Sequence, residues 1–420
     1  RHTAGAMPPA NPAAVVVDVP GPGSVLGNGV FGVDAVSRDA RTPGVQHDKN
    51  DPRLWDTMNH PAAVASRSAA FAFSSKGLPR KYDYRDWSST TFILRDRAVS
   101  NFIWPLCLCV GVALGWSVLY FTVEPLRHDR YDLSEFSTMF GLVFTALGFM
   151  LVFRLSRAAI RFWDCRTAWG TIAMRGRVLV DDVIVTLGPH APKECDEIIR
   201  WFCALAVGAK CHLRCSSLSA EQLTGILTTH EVEDMTSRMT SRYHMFCANK
   251  VRSAIAKALL LENGGEGHKA DERDASAFVT NVDSRRPFRK NIHPQHAAIL
   301  MHSMRNHLDV VVDQAGAMER IKATRLPIVY VAHLRTFLLV YVLSMPFVYV
   351  STWGWGVIPA TGAIAFALLG IEGAATECEN PFSAKRTNHL GMDGFCENII
   401  GDTSAMLEWW REEVVSGVGW

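Results

Sequence analysis

The chain has 420 residues, 48% of them hydrophobic, and 43 Lys and Arg against 41 Asp and Glu give a net charge of +2. Its 12 Trp and 21 Phe supply the large apolar side chains that a wholly disordered chain lacks. The near-balance of charge excludes a globally basic nucleic-acid binder and an acidic tail protein.

Residues 1–80 are rich in Ala, Pro, Gly, Val and Ser, with Pro8-Pro9, Pro20-Gly21-Pro22-Gly23 and Gly27-Asn28-Gly29, and are predicted to be a mostly disordered N-terminal segment. Within it, Ala65-Ser66-Arg67-Ser68-Ala69-Ala70 and Ser74-Ser75-Lys76 have the basic, serine-rich, acid-poor character of a transit peptide. A plain tail is an equally good reading. Residues 98–123, 136–153 and 336–371 then contain no Asp, Glu, Lys or Arg, and a helix needs about 20 apolar residues to cross the hydrocarbon core. Asn101 to Val123 is long enough, with Pro105 expected near its start, where a first-turn proline costs little. Phe136 to Phe153 is marginal in length and contains Gly141 and Gly148.

Residues 170–325 read as amphipathic helices, with apolar residues at helical spacing over Ile198–Val207, Leu218–Leu227, Val251–Leu261 and Ala297–Val312. A glycine-rich break is expected over Leu261–Gly267. The third charge-free stretch is too long for one crossing. It divides into Thr336–Val350 and about Val357–Ile371, joined by Ser351-Thr352-Trp353-Gly354-Trp355-Gly356, where glycines permit a turn and tryptophans favour the membrane interface. A large soluble protein with buried core helices is the alternative.

The link from Glu124 to Glu135 is acidic, whereas Arg80, Lys81, Arg85, Arg95, Arg97, then Arg154, Arg157, Arg161, and Arg320, Lys322, Arg325 and Arg335 make the other flanks basic. Positive flanks stay cytoplasmic. The prediction is an all-α membrane protein with four transmembrane helices per subunit, and with both termini and a large helical domain on the cytoplasmic-type side. Its divisions are residues 1–80, a first transmembrane pair at 81–175, the helical domain at 176–325, a second pair at 326–375 and a C-terminal segment at 376–420.

No Gly-x-x-x-x-Gly-Lys phosphate loop and no Gly-x-Ser-x-Gly elbow occurs, and His230-Glu231 lacks the second histidine of a zinc-protease pair. No catalytic residue and no resident cofactor is expected. Cys211, His212 and Cys215 could share a helix face, either as metal ligands or as ordinary thiols; no metal site is assigned. Without any Cys-x-x-Cys, the large domain is expected on a reducing side. His293, His296, His302 and His307 are either a pH switch or surface histidines.

The run Phe136 to Gly170 carries the most information. Thr145, Phe149 and Phe153 recur at spacing four and so share a helix face. Several copies around an axis would form an uncharged constriction, which gates by dewetting and holds no ion tightly. Beyond it, Arg154, Arg157, Arg161, Arg166, Arg175 and Arg177 stand against Asp164 alone, a basic vestibule that would concentrate anions. Anchoring at lipid headgroups is the other reading of Arg154 and Arg157.

Phe153-Arg154 with Arg161-Phe162-Trp163-Asp164-x-Arg166-x-Ala168-Trp169-Gly170, then Leu326-Pro327-Ile328-Val329-Tyr330, then Glu377-x-Glu379-Asn380-Pro381-Phe382 with Asn388-His389-Leu390-x-x-Asp393-x-Phe395-Cys396, resemble the bestrophin family and its bacterial and plastid members. Trp163, Asn380, Pro381 and Phe382 are the family-motif residues. The resemblance spans residues 82–400 and implies a homopentamer around one central pore that conducts chloride, and bicarbonate or nitrate, passively through a lipid bilayer. It implies a neck at Thr145, Phe149 and Phe153, with Thr145 departing from the usual apolar residue, and an aperture at Ile299. Animal members hold calcium with an acidic run after this motif; here Ser383, Ala384, Lys385, Arg386, Thr387 and Asn388 follow, the wrong charge for a cation that wants carboxylates. No calcium clasp is expected. A secondary anion transporter and a membrane scaffold are the rival functions. A plastid thylakoid, another organelle membrane and the plasma membrane all remain open as sites.

Overall fold

A computed structural model describes residues 58–74, 99–123, 133–188, 191–260, 293–383 and 389–416, all within the compact unit His47–Trp420. Outside them lie most of the expected disordered segment, the basic flank at 80–97, most of the acidic link, the glycine-rich break and residues 384–388. Among the described residues the regular structure is helical, without a strand.

The helices are α1 (Pro61–Ser74), α2 (Val99–Thr122), α3 (Ser137–Leu187), α4 (Pro192–Arg214), α5 (Thr229–Arg238), α6 (Tyr243–Leu259), α7 (Pro294–Ala323), α8 (Ile328–Trp353), α9 (Val357–Glu379) and α10 (Met392–Ser416). Among the described residues three segments are long and apolar enough to cross a membrane: Val99–Thr122, Ser134–Leu187 and Ile328–Glu379. The last is interrupted at Gly354, whose φ of +53° few side chains tolerate. A short 3₁₀ turn over Gly354–Gly356 follows, and α9 then packs against α8. Trp355 stacks on Phe121 with ring centroids 4.8 Å apart, which ties this turn to the end of α2.

α3 is the spine. It runs 51 residues without a proline, about 77 Å at 1.5 Å per residue, more than twice the hydrocarbon thickness. Its first half joins an apolar core with α2, α8 and α9, built from Phe102, Leu147, Leu151, Leu338, Val342 and Ala365. Its second half joins a separate, larger core with α4, α6, α7 and α10, in which Trp169, Ile172, Leu179 and Val183 are buried. The expected division at residue 175 therefore coincides with no break in the chain: one helix belongs to both cores.

α7 runs antiparallel to α3, since Ser303 and His307 approach Asp182 while the carbonyl of Ile321 meets Arg161. α4 and α6 pack closely, with Gly208 against the backbone of Tyr243 and His244.

Three expectations need correction. Residues 58–74 are not part of a disordered segment, because Met58 and Phe71 are buried in the second core. Arg67 in this stretch donates to the carbonyls of Thr224 and Met58, each at 2.7 Å. Pro105 is not in a first turn; α2 begins at Val99 and the proline sits inside it, which membrane helices tolerate. Leu218–Leu227 is not a helix. A 3₁₀ turn over Ala220–Leu223 and Gly225 at φ +78° fold it into a compact turn that buries Leu223 and Ile226.

Candidate functional site

The two faces of α3 have opposite characters. At about 100° per residue, Thr145, Phe149 and Phe153 fall within an arc of about 80°. All three are exposed on the subunit, Phe149 by 62% and Phe153 by 64%. The stripe continues through Ser156, Ile160, Trp163, Thr167, Met174 and Val178, all exposed and uncharged. A hydrophobic face this long on a helix whose other face is packed marks a surface made to meet something other than bulk water. Thr145 spends its hydroxyl on the Gly141 carbonyl at 3.1 Å, so it presents mainly its methyl group to this face.

Arg154 lies about 180° around the helix from Thr145, and it is 1% exposed. Its Nε donates to Glu372 at 3.3 Å and its Nη2 to Glu379 at 2.7 Å. Glu372 is shared: Arg335 Nε donates to its other oxygen at 2.8 Å. Glu379 also accepts from the backbone N–H of Leu326 at 3.2 Å. Two guanidinium groups and two carboxylates thus close a charge-balanced network joining α3, α8 and α9. Arg161, on the same side, donates to the carbonyls of Thr324 (2.8 Å), Ile321 and Glu379.

This revises the arginine-rich vestibule. Arg154 and Arg161 are consumed inside the subunit. Arg166 lies over the Phe395 ring at 4.8 Å, and Arg177 pairs with Asp402. Of the Arg154, Arg157, Arg161 set, Arg157 is the exposed member. The helical wheel was readable beforehand, because residues 149, 153 and 154 cannot share one face; the acidic partners, more than 200 positions away, were not.

Ile299, the expected aperture residue, is 65% exposed near the start of α7. Because α7 is antiparallel to α3, it lies level with the far end of α3, about 50 Å from Phe153. The family-motif residues divide. Trp163 is 64% exposed on the uncharged stripe, whereas Phe382 is 2% exposed in the second core. The turn at Pro381 is fixed by the Leu390 N–H on the Pro381 carbonyl at 2.9 Å and by His389, which accepts from the Ser383 N–H at 3.0 Å and meets Glu377 at 3.2 Å. Glu377 also accepts from Asn101 at 2.8 Å, linking this turn to the start of α2.

Cys211, His212 and Cys215 do not converge on a metal. Cys215 ends α4 at φ +53° with the Lys322 ammonium 2.9 Å from its sulfur, and Cys211 faces Gln222. The four histidines of α7 gather only in part: His293, which caps the helix, lies 5.7 Å from His296 between ring centroids, while His307 meets Asp182 and His302 is exposed. A second pair, His212 and His244, has ring centroids 5.2 Å apart and went unnoticed in the sequence.

Apolar spans, buried paired charges at their ends and an uncharged outward stripe define a helical integral membrane protein. Residues 79–404 match the family model described as bacterial/fungal bestrophin protein, and the chain belongs to the bestrophin family. It is 29% identical to a voltage-dependent anion channel-forming protein of Synechocystis sp. over 62% of this chain and 75% of that one. It is 23% identical to the chloroplastic voltage-dependent chloride channel 2 of Arabidopsis thaliana over 71% of this chain and 60% of that one. Its fold matches a bacterial bestrophin homolog from Klebsiella pneumoniae with a TM-score of 0.57, at 20% identity, over 73% of this chain and 98% of the other.

Proposed function

We propose that this protein is a passive anion channel, a homopentamer with four membrane crossings per subunit and one central pore. The carrying observation is the exposed, uncharged stripe of Thr145, Phe149 and Phe153 on a helix whose opposite face is packed and ion-paired. Placed around an axis, that stripe forms a hydrophobic neck through which chloride, bicarbonate or nitrate passes without tight coordination. Ile299 forms a second, more distant constriction, and Arg157 is the arginine positioned to raise local anion concentration. The channel names of the relatives support the ion class. No catalytic chemistry is proposed, and the proposed divisions keep 81–175, 176–325, 326–375 and 376–420, with α3 shared between the first two and residues 58–74 packed in the core of the helical domain.

We further propose that calcium does not gate the channel, since Lys385 and Arg386 stand where carboxylates would be needed. The deciding experiment is reconstitution in planar bilayers together with a subunit count on the purified particle. Unitary anion currents from a five-subunit particle are expected, and Phe149→Ala and Phe153→Ala should change open probability or ion selectivity. Currents unaltered by both substitutions would remove the neck assignment. Smooth substrate-coupled uptake without unitary steps would favour a transporter.

A further inference from the structure

Between α2, α8 and α9 lies a cavity of about 410 Å³ that plays no part in the neck. That volume is within the range of small-ligand sites. The apolar Phe102, Leu339 and Leu369 and the polar Arg335, Glu372 and Thr376 all line the cavity. Arg335 is the last charge before the charge-free residues 336–371, so it sits where a helix enters the hydrocarbon, at headgroup depth.

The Arg335 guanidinium is only partly used. Nε donates to Glu372 at 2.8 Å and one terminal nitrogen donates to Thr376 at 3.1 Å, while the side chain stays 53% exposed. Its carboxylate partner is simultaneously held by Arg154 at 3.3 Å. Arg335 therefore has half a claim on one carboxylate, with donors left over beside the cavity it lines. A planar guanidinium with spare donors suits a second carboxylate or a phosphate, and the apolar lining suits an acyl chain. A bare inorganic anion would leave that lining uncovered.

We propose that this cavity binds an anionic amphiphile, its carboxylate or phosphate head on Arg335 and its chain along Phe102, Leu339 and Leu369. The head comes either from a bilayer phospholipid or from a free fatty acid. Because Glu372 is common to Arg335 and to Arg154, and Arg154 adjoins Phe153, occupancy bears on the neck helix; that consequence rests on the channel reading, whereas binding does not.

The test is native mass spectrometry of the full-length protein in detergent micelles, titrated separately with oleate, phosphatidylglycerol, phosphatidylcholine and oleyl alcohol. Wild type should retain oleate or phosphatidylglycerol and neither phosphatidylcholine nor oleyl alcohol. Arg335→Gln should weaken retention about ten-fold or more, the scale of losing a hydrogen bond to a charged group. Leu339→Trp, which leaves the charge network intact and fills the cavity, should weaken it similarly, and Arg335→Lys should restore part of it. Oleate retained in the presence of excess phosphatidylglycerol identifies the free acid, and its displacement identifies the bilayer lipid; either supports the site. Retention equal to wild type in both Arg335→Gln and Leu339→Trp, oleyl alcohol binding as well as oleate, or no retention of any probe would overturn the proposal. No current is measured, so failure of the channel reading would leave this result standing.

Discussion

Replacing Arg154 by Met tests whether the buried network holds α3 to α9. The methionine keeps much of the aliphatic stem and removes the guanidinium. Arg154 is 1% exposed and its partners Glu372 and Glu379 are 8% and 15% exposed. Removing one member of a buried pair costs about 3–5 kcal/mol, because the remaining charge stays desolvated and unpaired. Here neither carboxylate is fully orphaned: Glu372 keeps Arg335 at 2.8 Å and Glu379 keeps the Leu326 N–H at 3.2 Å. The lower end, about 3 kcal/mol, is therefore expected. Arg177→Met breaks an ion pair that is 47% and 38% exposed and should cost under about 1 kcal/mol. Unfolding by SDS in mixed micelles, extrapolated to zero denaturant, measures both. Adding Glu379→Gln to Arg154→Met should cost less than the sum of the single changes, since the second removes a charge the first left exposed to low dielectric. An Arg154→Met protein unfolding within about 1 kcal/mol of wild type would refute the idea that this network stabilises the helix.

Other outcomes follow from particular contacts. Gly176→Ala would place a methyl group 2.0 Å from the Phe202 ring, forcing α3 and α4 apart at a cost of about 1–3 kcal/mol, seen in the same unfolding assay. His244 packs against His212, with Glu319 and Arg242 close by, and burial first and the His212 charge second hold its imidazole down to about 4. Unfolding lets it titrate near 6.5, so the unfolded chain takes up the proton first. Stability is full above pH 6.5 and falls as pH drops towards 4, by up to about 3 kcal/mol; His244→Phe should flatten that loss, and an unchanged pH profile would exclude it. Ile299→Glu, at a 65% exposed position, should reduce anion relative to cation permeability in bilayer recordings through an added acidic ring, and unchanged reversal potentials would remove Ile299 from the pore.

The membrane part of the fold was legible because hydrocarbon imposes a length and a charge rule on local sequence. Residues 99–122, 137–153, 336–353 and 357–371 all fall in helices, and the Ser351–Gly356 break lies at the interruption between α8 and α9. The turns of the second core were harder. Leu218–Leu227 has helical spacing, but Gly225 at positive φ and the left-handed Cys215 bend the chain out of helix. α1 was missed for a different reason. Its sequence is alanine-rich and weakly amphipathic, and what orders it lies elsewhere in the chain: the Thr224 carbonyl taken by Arg67, the Lys210 ammonium 4.4 Å from the Phe71 ring, and Asn59 donating to Glu408.

The same limit explains the arginines. Composition counts charge, and by composition residues 154–177 form a basic band. Geometry assigns each charge a direction, and on α3 the uncharged stripe and Arg154 lie on different faces. A helix that must present an uncharged face to a pore cannot also leave a guanidinium unpaired in hydrocarbon on its reverse side, because the desolvation cost is several kcal/mol. The carboxylates that meet that cost are Glu372 and Glu379 on α9, the helix immediately before Asn380-Pro381-Phe382. On this account the motif turn and the pore helix are parts of one mechanical unit. Arg154 anchors the reverse side of α3 to α9, and His389 with Glu377 anchors the end of α9 to the turn and to α2. The register of Phe149 and Phe153 on the outward face of α3 is then set by buried charge pairing, and in the proposed channel the phenylalanines themselves would make the neck dry.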